Sequence, residues 1–222
     1  MRSFDNLLPS WYIDPRKQID RLRECLWNNG GIGEFVTSDI PVIPEFTSLS
    51  RNEGLMVVTY PRGKDGVRGL QRKFELGWKY VVPPKGYTKQ RRDGLDSSPE
   101  LLRMAAGVDY TPGIYWVVFS PYANDGWAAR ACWDRSDVRH NLAGVEVFDA
   151  LMLFPDYPLD WLKGESSPNM AGLRMQEEKN PNAKVPCLEL VEDKKLLILG
   201  SVRAEMTSKN RAVPTVKHVF VA

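Results

Sequence analysis

The 222-residue chain has only three cysteines and two histidines, and no apolar stretch long enough to cross a bilayer. Cys25, Cys132 and Cys187 are far apart and odd in number, and no C-x-x-C occurs. A secreted, disulfide-stapled domain needs an even count in a shorter chain, so the expected setting is a reducing cytosol with three buried thiols. The longest uninterrupted apolar run, Ile114–Phe119, falls far short of the roughly 20 residues of a spanning helix. The first eleven residues contain no apolar segment of the signal-peptide kind, so neither export nor a membrane is expected. Also missing are G-x-x-x-x-G-K-[ST], H-E-x-x-H, G-x-S-x-G and the EF-hand loop. Their absence removes the usual signatures of nucleotide, zinc, serine-hydrolase and calcium chemistry and leaves no cofactor to expect.

What is present is an ordinary globular composition, 43% hydrophobic and 26% charged, in a chain long enough for one domain. The net charge is only +2, but it is unevenly spread. Between Arg62 and Arg92 stand ten basic residues and two acidic ones, Asp65 and Glu75. Between Val145 and Glu165, Glu146, Asp149, Asp156, Asp160 and Glu165 face only Lys163. Such asymmetry steers an anionic partner to one face.

The first helix is the clearest element. Asp14 can cap it, Pro15 suits its first position, Ile19, Leu22 and Leu26 form an apolar stripe, and Gly30 can end it. Leu55–Tyr60 has the composition of a strand. A second helix is expected over Val67–Leu76 with Gly77 as its stop, then a short strand over Trp78–Val82. Pro84–Ser98 reads as a polar loop or hinge that would divide a single domain, 1–222, into two lobes. Ser98-Pro99-Glu100 opens a third helix that Gly107 closes, and Ile114–Phe119 is the expected central strand. Ala128–Asn141 is open between helix and strand. Val145–Phe154 reads as a helix stopped by Pro155, and Pro155–Pro181 as loop. Val185–Val191 and Lys195–Leu199 form a hairpin, and Pro214–Val221 follows as a strand. The expected class is therefore α+β, an antiparallel or mixed sheet with a C-terminal three-strand meander flanked by helices.

In the same order, Leu197-Ile198-Leu199-Gly200-Ser201 with Arg203, then Arg211-Ala212-Val213-Pro214, resemble an uncharacterised bacterial family of unknown function. Ala150-Leu151-Met152-Leu153-Phe154-Pro155 matches its helix with a Phe-Pro stop, and Ile114–Phe119 falls at its central strand. This chain carries an insertion between Ser201 and Pro214. The resemblance implies a bacterial, cytosolic protein and assigns no activity.

Four candidate sites emerge. Gly30-Gly31-Ile32-Gly33 has the glycines of a phosphate-binding turn but follows a helix, so a helix cap is the plainer reading. Asp134, Asp137 and His140 are spaced by threes, which on one helix spans an arc of about 120°. Two carboxylates and an imidazole there could hold a divalent metal or do acid–base work, whereas Arg130, Arg135 and Arg139 would make the same residues a salt-bridged surface. Cys132, near those arginines, is a candidate nucleophile if its thiol is activated and an inert buried cysteine if not. Arg68, Arg72, Lys73, Lys85, Lys89, Arg91 and Arg92, interleaved with Trp78, Tyr80 and Tyr87, offer charge for phosphates and rings for bases. The seven tryptophans, lacking a common spacing, read as core.

The leading expectation is thus a non-enzymatic binding protein whose basic window, Arg62–Arg92, meets nucleic acid or an acidic protein. A metal-assisted hydrolase using Asp134, Asp137 and His140 is the alternative. A homo-oligomer joining that window to Val145–Glu165 is a third.

Overall fold

The computed structural model describes residues 12–27, 40–45, 49–50, 52–60, 66–92, 95, 102–104, 111–124, 126–154, 167–175, 184–207 and 211–219. For 25–27, 66–70, 72, 76, 102–104 and 167 only the backbone is described. The chain is an α+β protein. Helix α1, Pro15–Trp27, begins as its sequence dictates: the Asp14 carboxylate accepts the Arg16 N–H at 2.8 Å, satisfying a donor that the first turn leaves without a helical partner. Leu22 is fully buried. So is Gln18, whose amide donates to the carbonyl of Leu55 at 2.8 Å and accepts the N–H of Val57 at 3.2 Å. Both belong to strand β1, Gly54–Tyr60, and the glutamine completes its hydrogen bonding in place of another strand.

Strand β4, Gly113–Ser120, lies between β1 and β10, Thr215–Val219, and is antiparallel to both. Met56, Val58 and Tyr60 share a face with Tyr115, Val117, Phe119, Val216 and His218, because directly paired residues point to the same side. Helices α2, Gly66–Tyr80, and α5, Glu146–Leu153, pack with β1 in the main core, where Phe74 and Phe148 meet edge to face at 5.3 Å. A second sheet runs β2, Thr88–Arg91, then β8, Leu196–Arg203, then β7, Lys184–Val191; β2 is parallel to β8 and β7 antiparallel to it. Leu188, Leu197 and Leu199 face the same core, which leaves Cys187, Glu189, Ile198 and Gly200 on the opposite face. Among the described residues no helix is long and apolar enough to cross a membrane.

Several expectations change. Gly77 does not stop α2, which continues to Tyr80 and replaces the expected strand at Trp78; the glycine instead admits Phe148. Part of the expected loop, residues 88–91, is strand β2. Leu102–Met104 is strand β3, paired with β6, Leu173–Met175, so the third helix does not run through those residues. Short strands β5, Ser167–Pro168, and β9, Arg211–Ala212, pair in parallel. The C-terminal meander is not formed: β7 and β8 make the expected hairpin, but β10 joins β4. The reason is that β8 already has β2 on one side and β7 on the other, so it offers no edge, whereas β4 does.

Candidate functional site

The described residues of the basic window do not form one surface. The side chains of Arg68 and Arg72 lie outside the described residues, as do Gly30 to Gly33. Lys85 is exposed in the turn before β2. Lys89 turns back onto α2 and donates to the carbonyls of Trp78, Lys79 and Val81 at 2.6, 2.9 and 3.0 Å, capping the negative end of the helix. Burial, reinforced by the nearby Arg91 charge, lowers its pKa. Arg91 pairs with Glu75 at 2.6 Å. Arg92 is exposed beyond the end of β2.

Lys73 departs furthest from its expected role. Its side chain is 4% exposed, and its Nζ lies 2.5 Å from Asp149 Oδ2 and 4.3 Å from the centre of the Tyr60 ring. The sequence reading counts it among the cations of a polyanion-binding window; the structure puts it against α5. Asp149 also accepts the Thr59 backbone N–H. Beside it, Glu146 accepts the Tyr60 hydroxyl at 2.5 Å and the Gly144 N–H at 2.6 Å. The half-buried His218 stacks near Tyr60 and Tyr115, at 5.9 and 5.4 Å, and burial lowers its pKa. Because Glu146 and Asp149 are buried, they cannot form the acidic patch of a homo-oligomeric contact. No motif marks this cluster; the only sequence signal was the placement of two carboxylates, three apart, inside an otherwise apolar helix.

Burial raises the Asp149 pKa to about 6, even against Lys73, so protonation of this group favours the native state. Its stabilising contribution is complete below its unfolded value near 3.8 and is lost as pH rises through about 6. Urea unfolding of the protein and of Asp149→Asn should therefore give a stability difference that declines between pH 4 and 6, at no more than about 1.4 kcal/mol per pH unit, and is flat above. A difference that grows with pH would contradict this account of Asp149.

The Asp134, Asp137 and His140 trio is not brought together. Residues 129–134 and 136–139 are separate short helices, α3 and α4, because Arg135 between them is extended (φ −96°, ψ 116°). Asp134 pairs with Arg130 at 3.3 Å, and Asp137 with Arg135, which holds the Asp137 carboxyl below its usual range. Among the described residues no three His, Cys, Asp or Glu side chains form a group able to hold a metal. Cys132 is fully buried, and burial pushes its thiol up to about 11 against the opposing pull of Arg135, which is the reverse of an activated nucleophile. Cys187 is likewise a buried thiol. Trp78 and Trp116 are core, Trp133 is half-buried and donates to the Ala171 carbonyl at 2.6 Å, and Trp127 is exposed beneath Arg135.

Among the described residues a second group of cations lies elsewhere. A groove of about 710 Å³ runs over the outer face of the β2–β8–β7 sheet, within the usual size range of small-molecule sites. Its floor is Cys187, Ile198, Gly200 and Val202, and its basic lining is Arg92, Lys184, Arg203 and Arg211. The register places Lys184 beside Arg203, three residues from the Cys187–Gly200 pair and so on the alternate side of the pleat. Gly200 pairs with Cys187 and Lys184 with Arg203, while the Arg92 N–H bonds the Leu199 carbonyl at 2.9 Å. Asn169, fully buried, bridges to Cys187 in an antiparallel pair and accepts from Arg211 at 3.3 Å; its Nδ2 is a buried donor with no hydrogen-bond partner among the described residues. In the sequence Arg203 and Arg211 stand out only through a resemblance, because isolated arginines carry no spacing rule.

No protein-family model, curated protein or solved structure matches the chain.

Proposed function

We propose that the chain is a non-enzymatic binding protein that holds an anionic partner in the groove of the β2–β8–β7 sheet. The observation that carries this reading is the presence of four cationic residues, from β7, β8, β9 and the position after β2, in the lining of one groove with a neutral floor. Only Glu189 and Glu205 oppose them in the lining, so the groove is net positive. Positive charge over a sheltered floor raises the local concentration of anions and strengthens each contact relative to open water. The expectation of a basic face for an acidic partner is kept, but it moves from the Arg62–Arg92 window to a site that shares only Arg92 with it. The two segments that carry the family resemblance supply Ile198, Gly200, Ser201, Arg203 and Arg211 to this lining.

The test is calorimetric titration at low ionic strength with pyrophosphate, citrate, polyglutamate and a 15-mer of oligothymidylate. At least one should bind, with an affinity that falls as salt is added. The triple variant Arg92→Ala/Arg203→Ala/Arg211→Ala should weaken that binding by at least about tenfold, since charge-assisted hydrogen bonds contribute roughly 1.5–3 kcal/mol each. The Arg92→Ala/Arg203→Ala variant should keep a Tm close to that of the parent, because exposed charges contribute little to stability, whereas adding Arg211→Ala also removes a hydrogen bond to the buried Asn169. Binding of none of these anions, or equal binding by the variant, would refute the proposal.

A further inference from the structure

The two three-stranded sheets end on four edge strands, β1 and β10 in one and β2 and β7 in the other. An uncovered edge is a row of backbone donors and acceptors with which another strand can pair, so folded proteins close or blunt such edges. Three of the four are met from within the chain. Gln18 bonds the Leu55 carbonyl and the Val57 N–H of β1. Leu142 bridges to Thr215 on β10, and the Val216 N–H donates to the Asn141 carbonyl at 2.7 Å. On β7, Asn169 bridges to Cys187, and the Met170 N–H donates to the Pro186 carbonyl at 2.9 Å. Only β2 has no such cover among the described residues. The Thr88 and Arg92 N–H groups donate to the carbonyls of Lys195 and Leu199, each at 2.9 Å, which fixes the alternation along the strand. The backbone groups of Thr88 and Gln90 face β8, and those of Lys89 and Arg91 face away from it.

We propose that β2 is a docking edge for an extended acidic segment of a partner protein, which adds to the β2–β8–β7 sheet as a fourth strand. The surface lies at the rim of the sheet, apart from the groove on its outer face. Pairing runs through the N–H and C=O groups of Lys89 and Arg91, and charge selects the partner. Residues 79–92 contain Lys79, Lys85, Lys89, Arg91 and Arg92 and no Asp or Glu. The β7–β8 turn beside the start of β2 carries Glu192 and Asp193 but also Lys194 and Lys195, so it is neutral overall. The Lys89 and Arg91 side chains are engaged by the end of α2 and by Glu75, which hold the strand in place. Lys79, Lys85 and Arg92 are exposed. Between α2 and β2 lies a hollow of about 460 Å³ lined by Glu75, Trp78, Lys79, Lys89 and Arg91. Its three cations outnumber its one carboxylate, which is already paired with Arg91, so an acidic side chain of the added strand meets a positive recess there. A second copy of β2 would bring the same cations against these, a like-charge contact that disfavours self-pairing.

Three six-residue peptides, capped at both ends and labelled for fluorescence anisotropy, provide the test. One alternates glutamate with valine, one alternates lysine with valine, and one is the glutamate peptide with esters in place of its backbone amides. The glutamate peptide should bind 1:1, at least about tenfold more tightly than either of the others, because the esters lack the N–H donors and the lysines reverse the charge. Bound peptide should slow amide hydrogen exchange at Lys89 and Arg91 and leave Thr88 and Gln90, already bonded to β8, unchanged within roughly two- to threefold. Arg203→Ala, in the groove and off this edge, should alter the peptide affinity by no more than roughly two- to threefold, so the two surfaces stand or fail separately. Equal binding of the amide and ester peptides would show charge alone at work and overturn strand addition. Equal or tighter binding of the lysine peptide would overturn the acidic partner. If the Lys89 and Arg91 amides exchange slowly in the free protein, or become protected only as its concentration rises, the chain itself or a second copy covers the edge and the proposal falls. Protection of those amides by the oligothymidylate 15-mer and not by the glutamate peptide would assign the surface to nucleic acid instead.

Discussion

Replacing Lys73 by methionine should destabilise the protein by about 3–5 kcal/mol, the effect expected when one member of a buried ion pair is removed and the other stays behind. The side chain is nearly fully enclosed, and its Nζ is the cation bonded to Asp149 at 2.5 Å. Methionine fills most of the same volume, so the loss is not one of packing. What it leaves is a buried Asp149 carboxylate that keeps the Thr59 N–H, with the Glu146 carboxylate one helical turn away, and a Tyr60 ring without the ammonium over its face. The exposed pairs of the molecule are a useful contrast: Arg91–Glu75 and Arg130–Asp134 should each contribute 1 kcal/mol or less. Urea denaturation of Lys73→Met, Asp149→Leu and the double variant forms the measurement. Removing both partners eliminates the stranded charge, so the double variant should be clearly more stable than the sum of the single losses allows. Strict additivity, or a loss under about 1 kcal/mol for Lys73→Met, would show that the pair does not hold α2 to α5.

The α+β class and its local elements were legible because their causes are local. Asp14 and Pro15 fix the start of α1 through the geometry of one turn, Ile114–Phe119 declares a buried strand by composition, and the β7–β8 hairpin closes over a short polar turn in which Lys195 takes a φ of 50°. What was not legible depends on partners far away in sequence. Nothing in Thr215–Val219 says that β4 rather than β8 will pair with it; that is decided by which edges remain open once the second sheet has formed. In the same way, a count of charges treats Lys73, Lys89, Arg91 and Arg92 alike. The fold assigns them to a buried pair, a helix cap, a surface pair and a groove. The candidate groove is the extreme case. Its cations come from residues 92, 184, 203 and 211, too scattered for any window to collect, and only the register of β7 on β8 brings two of them side by side.

Gly77 offers a test in which two readings of one residue predict opposite signs. As an interior helical position it should gain from alanine, which is favoured over glycine in helices by about 1 kcal/mol. The packing predicts a loss. A Cβ at this position would lie 2.5 Å from the Cβ of Phe148 and 2.9 Å from its Cγ. The nearest atom is fixed to the backbone of α5, so no rotamer of the phenylalanine can relieve the contact, and Phe148 is itself fully buried against Phe74. The two helices must move apart, and the Lys73–Asp149 bond, one turn from Gly77 on α2 and one residue from Phe148 on α5, must lengthen with them. Overpacking of this kind costs about 1–3 kcal/mol, and the strained ion pair adds to it. The expected outcome for Gly77→Ala is thus a net loss of about 2 kcal/mol, or a fall in Tm of roughly 4–8 °C for a chain of this size. Circular dichroism and thermal unfolding decide the matter. A higher Tm would mean that glycine only weakens the helix there, whereas a lower Tm with native helicity retained at low temperature is the signature of two helices held at glycine distance.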